Sequence, residues 1–268
     1  MQALLCQLNS TIGDPAYNAR RAADAILAHP GVDLAVFPEL YLGGYSYRDV
    51  ERSARTVEDE ELLAIRRACA EAGTAAAVGF AERTAGGIAN AAAIVDRDGS
   101  VAAVYRKTQL FGDEPSAFVP GDELLVLPLA GRRVAPLICF DIEFPEPARA
   151  LALAGADLLV TVSANMRPFY VDHEVASKAR AVENRVAHLY ANAVGPGDDF
   201  VFVGGSRAVS PLGEVVAEAS QDREELLVVP VPDRAGVDER VDYLTALQPV
   251  PPVKVLTSPH PRGGKLDE

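Results

Sequence analysis

The stretch from Arg132 to Glu146, RRVAPLICFDIEFPE, most constrains how this chain can fold. Its apolar run, Val134 to Ile138, has the length and composition of a buried β-strand. Pro145 suits the first turn of a helix, and Gly155 suits the position just after that helix ends. A buried strand that leads within a few residues into a helix is the building unit of mixed α/β folds.

Cys139 stands between the predicted strand and the predicted helix. The amides at a helix start stabilise anions, so this position favours both a thiolate and a developing oxyanion. A free cysteine is, however, most often a small buried hydrophobic residue. On this stretch alone, a reactive thiol and a core residue are equally good interpretations.

Apolar strand-like runs alternate with helical patterns along the rest of the chain. We predict helices over residues 18–28, 59–72 and 173–186, besides the helix that begins at Pro145. We predict strands over residues 3–8, 33–37, 75–80, 89–96, 101–105, 134–138, 157–163, 187–193, 200–203, 207–210, 215–218 and 226–231. The segment DRDGS at 96–100 joins two of these strands and is a hairpin signal, so part of the sheet should be antiparallel.

The chain shows no fixed-period repeat and no linker. We therefore predict one mixed α/β domain over residues 1–249. Residues 250–268 are rich in proline and weakly patterned. We expect them to form a C-terminal tail that is either mobile or wrapped over a neighbouring subunit.

Charge and residue usage exclude several classes of protein. The 268 residues carry a net charge of −13 and no Lys/Arg run, so nucleic acid and anionic membrane are poor partners. We also find no basic, apolar N-terminal segment and no apolar run long enough to span a bilayer. We expect a cytoplasmic protein.

The cysteines and histidines do not form a recognisable metal or disulfide pattern. The three cysteines are far apart in sequence and lack CxxC neighbours, which favours a reducing compartment. The four histidines have no HExxH spacing. These residues are Cys6, Cys69, Cys139, His29, His173, His188 and His260. We predict neither a disulfide framework nor a metal site.

Three reactive residues share one kind of position. Glu39 follows the apolar run LAVF, Lys107 follows VAAVY, and Cys139 follows VAPLI. Open α/β sheets bind ligands at the carboxyl ends of their strands, so these side chains could converge there. Alone, Glu39 would be read as a turn or cap residue and Lys107 as a surface lysine. Their conjunction with a cysteine predicts a reactive site.

The chemistry of such a site is coherent. A cysteine nucleophile needs a base for its proton and an acid for a leaving amine. No histidine is suitably placed, but a carboxylate can serve if burial raises its pKa. A cation beside the attacked carbon would stabilise the oxyanion.

Three motifs resemble those of the carbon–nitrogen hydrolases of the nitrilase superfamily. They are FPE at 37–39, YRK at 105–107 followed by TQLFGDE, and CFDIEFPE at 139–146, in the order and spacing of that family. The likeness extends from the first strand to about Leu247. It implies an α/β fold with mixed sheets, a four-layer αββα sandwich, and hydrolysis of a carbon–nitrogen bond without a cofactor or metal.

The resemblance also implies roles for individual residues. Cys139 attacks the amide carbon, and Glu39 accepts the thiol proton, passes it to the departing amine and later activates water. Lys107 and the backbone N–H of Phe140 hold the oxyanion. A second glutamate orients Lys107 or the substrate; Glu114 matches that residue best.

Other positions remain open between two interpretations. Asp113, next to Glu114, would replace it after a one-residue shift. Asn165 resembles a pocket-lining amide, and Tyr45 is either a wall of the pocket or a core residue. Gln109 stands where many relatives have histidine, a difference that could loosen the loop or alter the substrate range.

Two further pairs resemble buried ion pairs that support the site rather than take part in the reaction. One is Arg180 with Glu183, and the other is Glu146 with Arg149.

The motifs CFDIEFPE, LFGDE and SANMRPF look most like the small-amide amidases that include 5-aminopentanamidases and amino-amide hydrolases. A substrate with a free amine would need a carboxylate in the pocket, and Glu143 and Asp113 are candidates. Glu143 could instead bond the nearby backbone.

We therefore expect a hydrolase that uses water to cleave a small amide, acting as a homodimer or higher oligomer through the helix after Cys139 and helix 173–186. Nitrilase and N-carbamoyl amide hydrolase activities are the enzymatic alternatives, and a non-catalytic family member is the alternative outside enzymes.

Overall fold

Two six-stranded mixed β-sheets, packed face to face, form the centre of the protein. The computed structural model describes residues 1–48, 50–234 and 236–255. The strands are β1 (Gln2–Gln7), β2 (Leu34–Val36), β3 (Ala75–Thr84), β4 (Gly87–Val95), β5 (Val101–Arg106), β6 (Leu127–Leu129), β7 (Arg132–Ile138), β8 (Leu158–Ser163), β9 (Ala187–Asn192), β10 (Val194–Pro196), β11 (Val201–Val203), β12 (Arg207–Val209), β13 (Val215–Glu218) and β14 (Glu225–Pro230). The helices are α1 (Pro15–Leu27), α2 (Val50–Ser53), α3 (Glu60–Ala72), α4 (Pro145–Leu153), α5 (Tyr170–Asn184) and α6 (Tyr243–Ala246).

The first sheet has the order β14-β1-β2-β3-β4-β5, and the second has the order β13-β12-β9-β8-β7-β6. Helices α1 and α3 cover the outer face of the first sheet, and α4 and α5 cover that of the second. The fold is therefore the four-layer αββα sandwich that was expected.

The side chains of each central strand point alternately toward the other sheet and toward the helices, and both sides are buried. The central strands therefore appear in the sequence as continuous apolar runs. In β1, Ala3 and Leu5 face the second sheet, whereas Leu4 and Cys6 face the helices. Because both faces of the strand are buried, no polar residue is needed to mark a solvent side. This double burial made the strands easy to predict from composition.

The directions of the strands place the carboxyl ends of strands that are far apart in sequence at the same end of the sheet. Strands β1, β2 and β3 are parallel, and β7, β8 and β9 are parallel in the second sheet. From β3 to β4 and from β4 to β5 the pairing is antiparallel, so β5 runs in the direction of β2 again. The hairpin predicted at 96–100 is confirmed, with Asp96 N–H donating to the carbonyl of Ser100 at 2.8 Å.

The main differences from the predicted elements have local causes. Helix α1 begins at Pro15 rather than at 18, because the Asp14 carboxylate accepts from the N–H of Tyr17 at 2.9 Å and caps the helix. The short strands β6 and β10 were missed, since three residues that include proline carry no detectable period. A 3₁₀ turn, Cys139–Glu143, separates β7 from α4.

The two expected ion pairs have different outcomes. Arg180 pairs with Glu183, and its Nε also donates to the carbonyl of Ile142 at 2.8 Å, which ties α5 to the turn after Cys139. The predicted ion pair between Glu146 and Arg149 is wrong, because Glu146 lies exposed in the first turn of α4 and no salt bridge joins the two residues. The Nη1 of Arg149 is buried without a hydrogen-bond partner.

The C-terminal segment is only partly described. Residues 250–255 are exposed and lie in no helix or strand, and the rest of the predicted tail, 256–268, is outside the described residues. The boundary at 249 stays a prediction. Within the described part of the chain, no helix has both the length and the apolar composition to span a bilayer.

Substitution of Gly79 tests how closely strand β3 packs against the loop after β2. A Cβ at Gly79 would lie 2.3 Å from the carbonyl oxygen of Pro38 and 2.6 Å from the Cα of Glu39. We expect Gly79→Ala to lower the free energy of unfolding by about 1–3 kcal/mol or more, since backbone must move to admit a methyl group. Urea unfolding measures this, with Gly86→Ala as the control because only one atom, at 3.8 Å, approaches its Cβ position. Equal stability of the two variants would contradict the close approach.

Candidate active site

A fully buried ammonium group lies between two fully buried carboxylates. Lys107 Nζ is 2.7 Å from Glu39 Oε1 and 2.9 Å from Glu114. Glu39 follows β2 and Lys107 follows β5, so the shared direction of these strands brings them to one edge of the first sheet. The three side chains form what we call the acid–lysine cluster.

Hydrogen bonds from neighbouring groups hold both carboxylates in place. Asn90 Nδ2 donates to Glu39 at 2.7 Å and to Glu114 at 3.1 Å. The Tyr45 hydroxyl donates to Glu114 at 3.0 Å, and the Ala164 N–H donates to Glu39 at 3.0 Å. The last bond joins the first sheet to the end of β8 in the second.

The structure distinguishes the roles of Glu114 and Asp113, which are adjacent in sequence. Glu114 is fully buried, and its second oxygen accepts from the N–H of Phe111 at 2.8 Å. Asp113 is exposed, whereas Lys107 is buried with Glu39 and Glu114 as its salt-bridge partners. The second glutamate beside the lysine is therefore Glu114, and a shift by one residue does not occur.

Asn90 was missed by the sequence analysis. It is fully buried in β4 and bonds both carboxylates of the acid–lysine cluster. An asparagine inside the run GIANAAAIV was a usable signal, because a buried amide in an apolar strand needs polar partners.

Cys139 lies across the sandwich from the acid–lysine cluster. It follows β7, whose Ile138 is paired with Val162 of the parallel strand β8, so Cys139 is beside Ser163. Its φ of 44° is unusual for a residue with a side chain, and such backbone outliers concentrate at functional sites. The charges of Glu39 and Lys107 are both close enough to act on its thiol.

The expectation that the elbow favours a thiolate is wrong. Burial raises the pKa of Cys139 well above its ordinary value, and the charge of Glu39 raises it further, while Lys107 acts in the opposite direction. The Asp141 carboxylate in this turn accepts from Ile138 N–H at 2.9 Å and from Gln109 N–H, in the loop after β5, at 2.9 Å. The resting cysteine is a thiol, so it needs a base.

Electrostatics make Glu39 suitable as that base. Burial raises the pKa of Glu39, Lys107 lowers it and Glu114 raises it, with a net increase. For Lys107, burial alone would lower the pKa, but Glu39 and Glu114 more than reverse this, so the ammonium stays charged. A carboxylate with a raised pKa can both accept and return a proton near neutral pH.

A small cavity opens in front of Cys139. Its walls are mostly aromatic or apolar, with one carboxylate and one amide among them. The lining residues are Tyr45, Phe111, Cys139, Phe140, Glu143, Asn165, Met166, Phe169 and His173.

The predicted pocket residues Tyr45, Glu143 and Asn165 all line this cavity, and His173 is an addition that sequence reasoning missed. Asp113 and Gln109 do not line it.

Two of these wall residues have fixed orientations. Asn165 Nδ2 donates to the carbonyl of Phe169 at 3.0 Å, and the Tyr45 ring packs edge-on against Phe200 and Phe202. Tyr45 is thus both a pocket wall and a core residue. No cluster of metal-ligating side chains occurs among the residues that the structure describes.

Comparison with known proteins identifies the family. A family model described as carbon-nitrogen hydrolase matches residues 3–238. The chain is 41% identical over 225 residues to an (R)-stereoselective amidase from a Pseudomonas species, covering 83% of this chain and 82% of that protein.

Solved structures agree. An alanine variant of a Nesterenkonia amidase from the nitrilase superfamily matches with a TM-score of 0.82 and 32% identity, over 92% of this chain and 94% of that one. A second variant of that amidase matches with a TM-score of 0.81 and 31% identity, over 92% and 94%. That second structure shows the acetamide moiety of fluoroacetamide added covalently at the active-site cysteine.

The chain therefore belongs to the carbon–nitrogen hydrolase family, as its three motifs indicated. Within that family it is an amidase, which hydrolyses amide carbon–nitrogen bonds through a cysteine.

Removing the lysine tests the acid–lysine cluster. We expect Lys107→Met to lower the free energy of unfolding by about 3–5 kcal/mol at pH 7, because two buried carboxylates lose their cation. Without Lys107, the pKa of Glu39 rises further above 4.5, so the folded variant binds protons that the unfolded chain releases. Stability of the variant is then fully present below pH 4.5 and is lost as the pH rises through the raised pKa.

Urea unfolding at pH 5 and pH 7 should therefore show a smaller loss at the lower pH. Lys178→Met, which removes a surface partner of Glu174 on α5, is the control and should stay within about 0.5 kcal/mol of the unmodified protein. A penalty for Lys107→Met that is no larger than the control's would refute the proposed charge balance.

Proposed function

We propose that Cys139, Glu39, Lys107 and Glu114 hydrolyse a small carboxamide to a carboxylate and ammonia. The observation that carries the proposal is the buried ammonium of Lys107, held 2.7 Å from the carboxylate of Glu39 while both charges act on the Cys139 thiol. A thiol, a base and a cation are the three groups that acyl transfer to sulfur requires.

The first half of the reaction forms a thioester. Cys139 Sγ attacks the amide carbon while Glu39 takes the thiol proton. Negative charge develops on the carbonyl oxygen, where Lys107 Nζ and the N–H of Phe140 stabilise it. Glu39 then gives its proton to the nitrogen, the carbon–nitrogen bond breaks, and ammonia leaves.

The second half consumes water. Glu39 removes a proton from a water molecule, the hydroxide adds to the thioester carbon, and Cys139 leaves as the sulfur recovers its proton from Glu39. The sum is amide plus water to carboxylic acid plus ammonia. Glu114 keeps Lys107 charged and aimed, since it is the second carboxylate within 2.9 Å of Nζ.

Loss of the thiol tests the assignment of the nucleophile. We expect Cys139→Ala to release no ammonia from small amides, and Glu39→Gln to reduce turnover by about 10²–10⁴-fold through loss of the proton carrier. A reactive ester or amide should add an acyl mass to Cys139 in the unmodified protein, measured by mass spectrometry of its peptides. Glu82→Gln, which alters a partly buried pair with Arg106 outside the cavity, is the matched control and should keep full turnover. Absence of an adduct at Cys139 would overturn the assignment.

We further propose that the preferred amides carry an amine. Glu143 lines the cavity, and its carboxylate lies within salt-bridge distance of His173. Burial lowers the pKa of His173, and Glu143 only partly offsets that decrease. The lowered pKa disfavours a charged imidazole, so His173 places no compensating positive charge beside Glu143. The rings of Phe111, Phe140 and Phe169 would support a cation as well.

Matched substrates decide whether the amine is recognised. We expect 5-aminopentanamide to have a kcat/KM at least about tenfold above that of pentanamide, the cost of one lost charge-assisted hydrogen bond. Glu143→Gln should remove most of this ratio while the turnover of pentanamide changes less. Equal ratios in both proteins would contradict an ammonium contact with Glu143, whatever the absolute rates.

The enzymatic alternatives are nitrile and N-carbamoyl amide hydrolysis, which use the same three groups. The small size of the cavity favours a short substrate in each case and does not separate them. The amidase relatives support the amide, and assay of a nitrile against its own amide distinguishes the two reactions.

We infer a homodimer in the cytoplasm. Leu153 at the end of α4 and Val171 and Val175 in α5 are all more than half exposed, and these two helices contact each other. These are the helices predicted to pair. The cytoplasm supplies the reducing conditions that keep a catalytic thiol free.

A further inference from the structure

Asp141 is a fully buried carboxylate that takes no part in the hydrolytic steps. It lies in the 3₁₀ turn Cys139–Glu143 that separates β7 from α4. Its two oxygens accept five hydrogen bonds from groups in the described part of the chain. Burying a carboxylate is costly unless such donors compensate it, so these bonds fix where the side chain and its partners lie.

One oxygen holds the turn that carries the nucleophile. Asp141 Oδ2 accepts from the N–H of Ile138 at 2.9 Å. This bond closes a short ring around Cys139 and Phe140, which supply the nucleophile and the backbone oxyanion donor. Cys139 has a φ of 44°, which is unfavourable for a residue with a side chain, so the turn needs a restraint of this kind.

The other oxygen holds the segment directly after Lys107. Asp141 Oδ1 accepts from the N–H of Gln109 at 2.9 Å, from the hydroxyl of Thr108 at 2.9 Å and from the N–H of Thr108 at 3.2 Å. Tyr105, near the end of β5, donates its hydroxyl to Oδ2 at 2.8 Å. Strand β5 belongs to the first sheet and β7 to the second, so one side chain ties together two strand ends from different sheets.

A cap that served only the turn would not account for these bonds. The bond to Ile138 is the one expected of a side chain that caps the start of a helical turn. Four of the five bonds come instead from residues 105–109 of the first sheet and its following loop. Asp141 therefore holds the two sheets in register beside the active site.

We propose that Asp141 is a positioning residue that fixes the distance between the Lys107 ammonium and the backbone N–H of Phe140, the two donors that hold the oxyanion. Lys107 directly precedes the segment bonded to one oxygen, and Phe140 lies inside the ring closed by the other. An oxyanion is fully stabilised only when both donors are at the correct distance, and a misplacement of about 1 Å can cost about a hundredfold in rate. This inference rests on the proposed function of Cys139 and Lys107.

Two reagents separate oxyanion stabilisation from the reactivity of the thiol. 4-Nitrophenyl acetate acylates Cys139 through an oxyanion on its carbonyl oxygen. Methyl methanethiosulfonate transfers its methylthio group to the same sulfur, releases methanesulfinate and has no carbonyl oxygen. The thiol proton must leave in both reactions, so the ratio of the acylation rate to the methylthiolation rate reports on the oxyanion donors. A partly unfolded variant loses both rates in the same proportion and keeps the ratio.

We expect Asp141→Asn to lower that ratio by about 10–100-fold. An amide has one acceptor oxygen where a carboxylate has two, so either Ile138 or the segment 108–109 loses its acceptor. Asp157→Asn is the matched control and should leave the ratio unchanged. The Asp157 carboxylate also accepts from a backbone N–H, that of Arg133 at 3.1 Å, but at the opposite end of β7 and outside the cavity.

A milder pair of variants gives an answer even if Asp141→Asn does not fold. Thr108→Val removes one donor to Asp141 and should lower the ratio by about two- to tenfold, the effect of one hydrogen bond. Thr108→Ser keeps the hydroxyl and should restore the ratio.

An equal fall of both rates in Asp141→Asn, or the same ratio in Thr108→Val as in Thr108→Ser, would overturn the proposal, because Asp141 would then only stabilise the fold. The hydrolytic function is tested separately by ammonia release from the unmodified protein. If that protein reacts with both reagents at Cys139 but releases no ammonia from amides, the hydrolytic function fails while the comparison of the two rates still stands.

Discussion

A buried ammonium group between two carboxylates is the interaction on which this protein depends. Lys107, Glu39 and Glu114 are each without solvent contact, and burying such charges costs several kcal/mol unless they compensate one another. Two carboxylates against one ammonium leave an excess negative charge. Burial raises the pKa of Glu39, and Lys107 only partly offsets that increase, so a base is present beside a thiol whose own pKa burial also raises.

The sandwich brings these charges together by means of strand direction. Two successive antiparallel steps return β5 to the direction of β2, so Glu39 and Lys107 leave the first sheet at the same edge. The second sheet supplies Cys139 from β7, and the Ala164 N–H after β8 bonds the Glu39 carboxylate at 3.0 Å. The active site therefore requires both sheets, and neither half of the sandwich would hold it alone.

The cavity in front of the thiol has one polar end. Glu143 lines the cavity and also contacts His173, so it is the carboxylate that lies where a substrate amine would bind.

The sequence by itself determined the longer strands and helices in their order, the double burial of the central strands and the three candidate residues Glu39, Lys107 and Cys139. These are local properties, because apolar runs and strand ends can be read from adjacent residues. The choice of Glu114 over Asp113 was open in the sequence, because one residue of register decides which carboxylate turns inward.

Only the tertiary structure showed that Asn90 bridges the two carboxylates, that His173 stands behind Glu143 and that Glu146 does not pair with Arg149. It also decided that the resting cysteine is a thiol, against the expectation from the helix start. The physical reason is that desolvation and charge pairing depend on groups far apart in the chain, whose distances no local pattern contains.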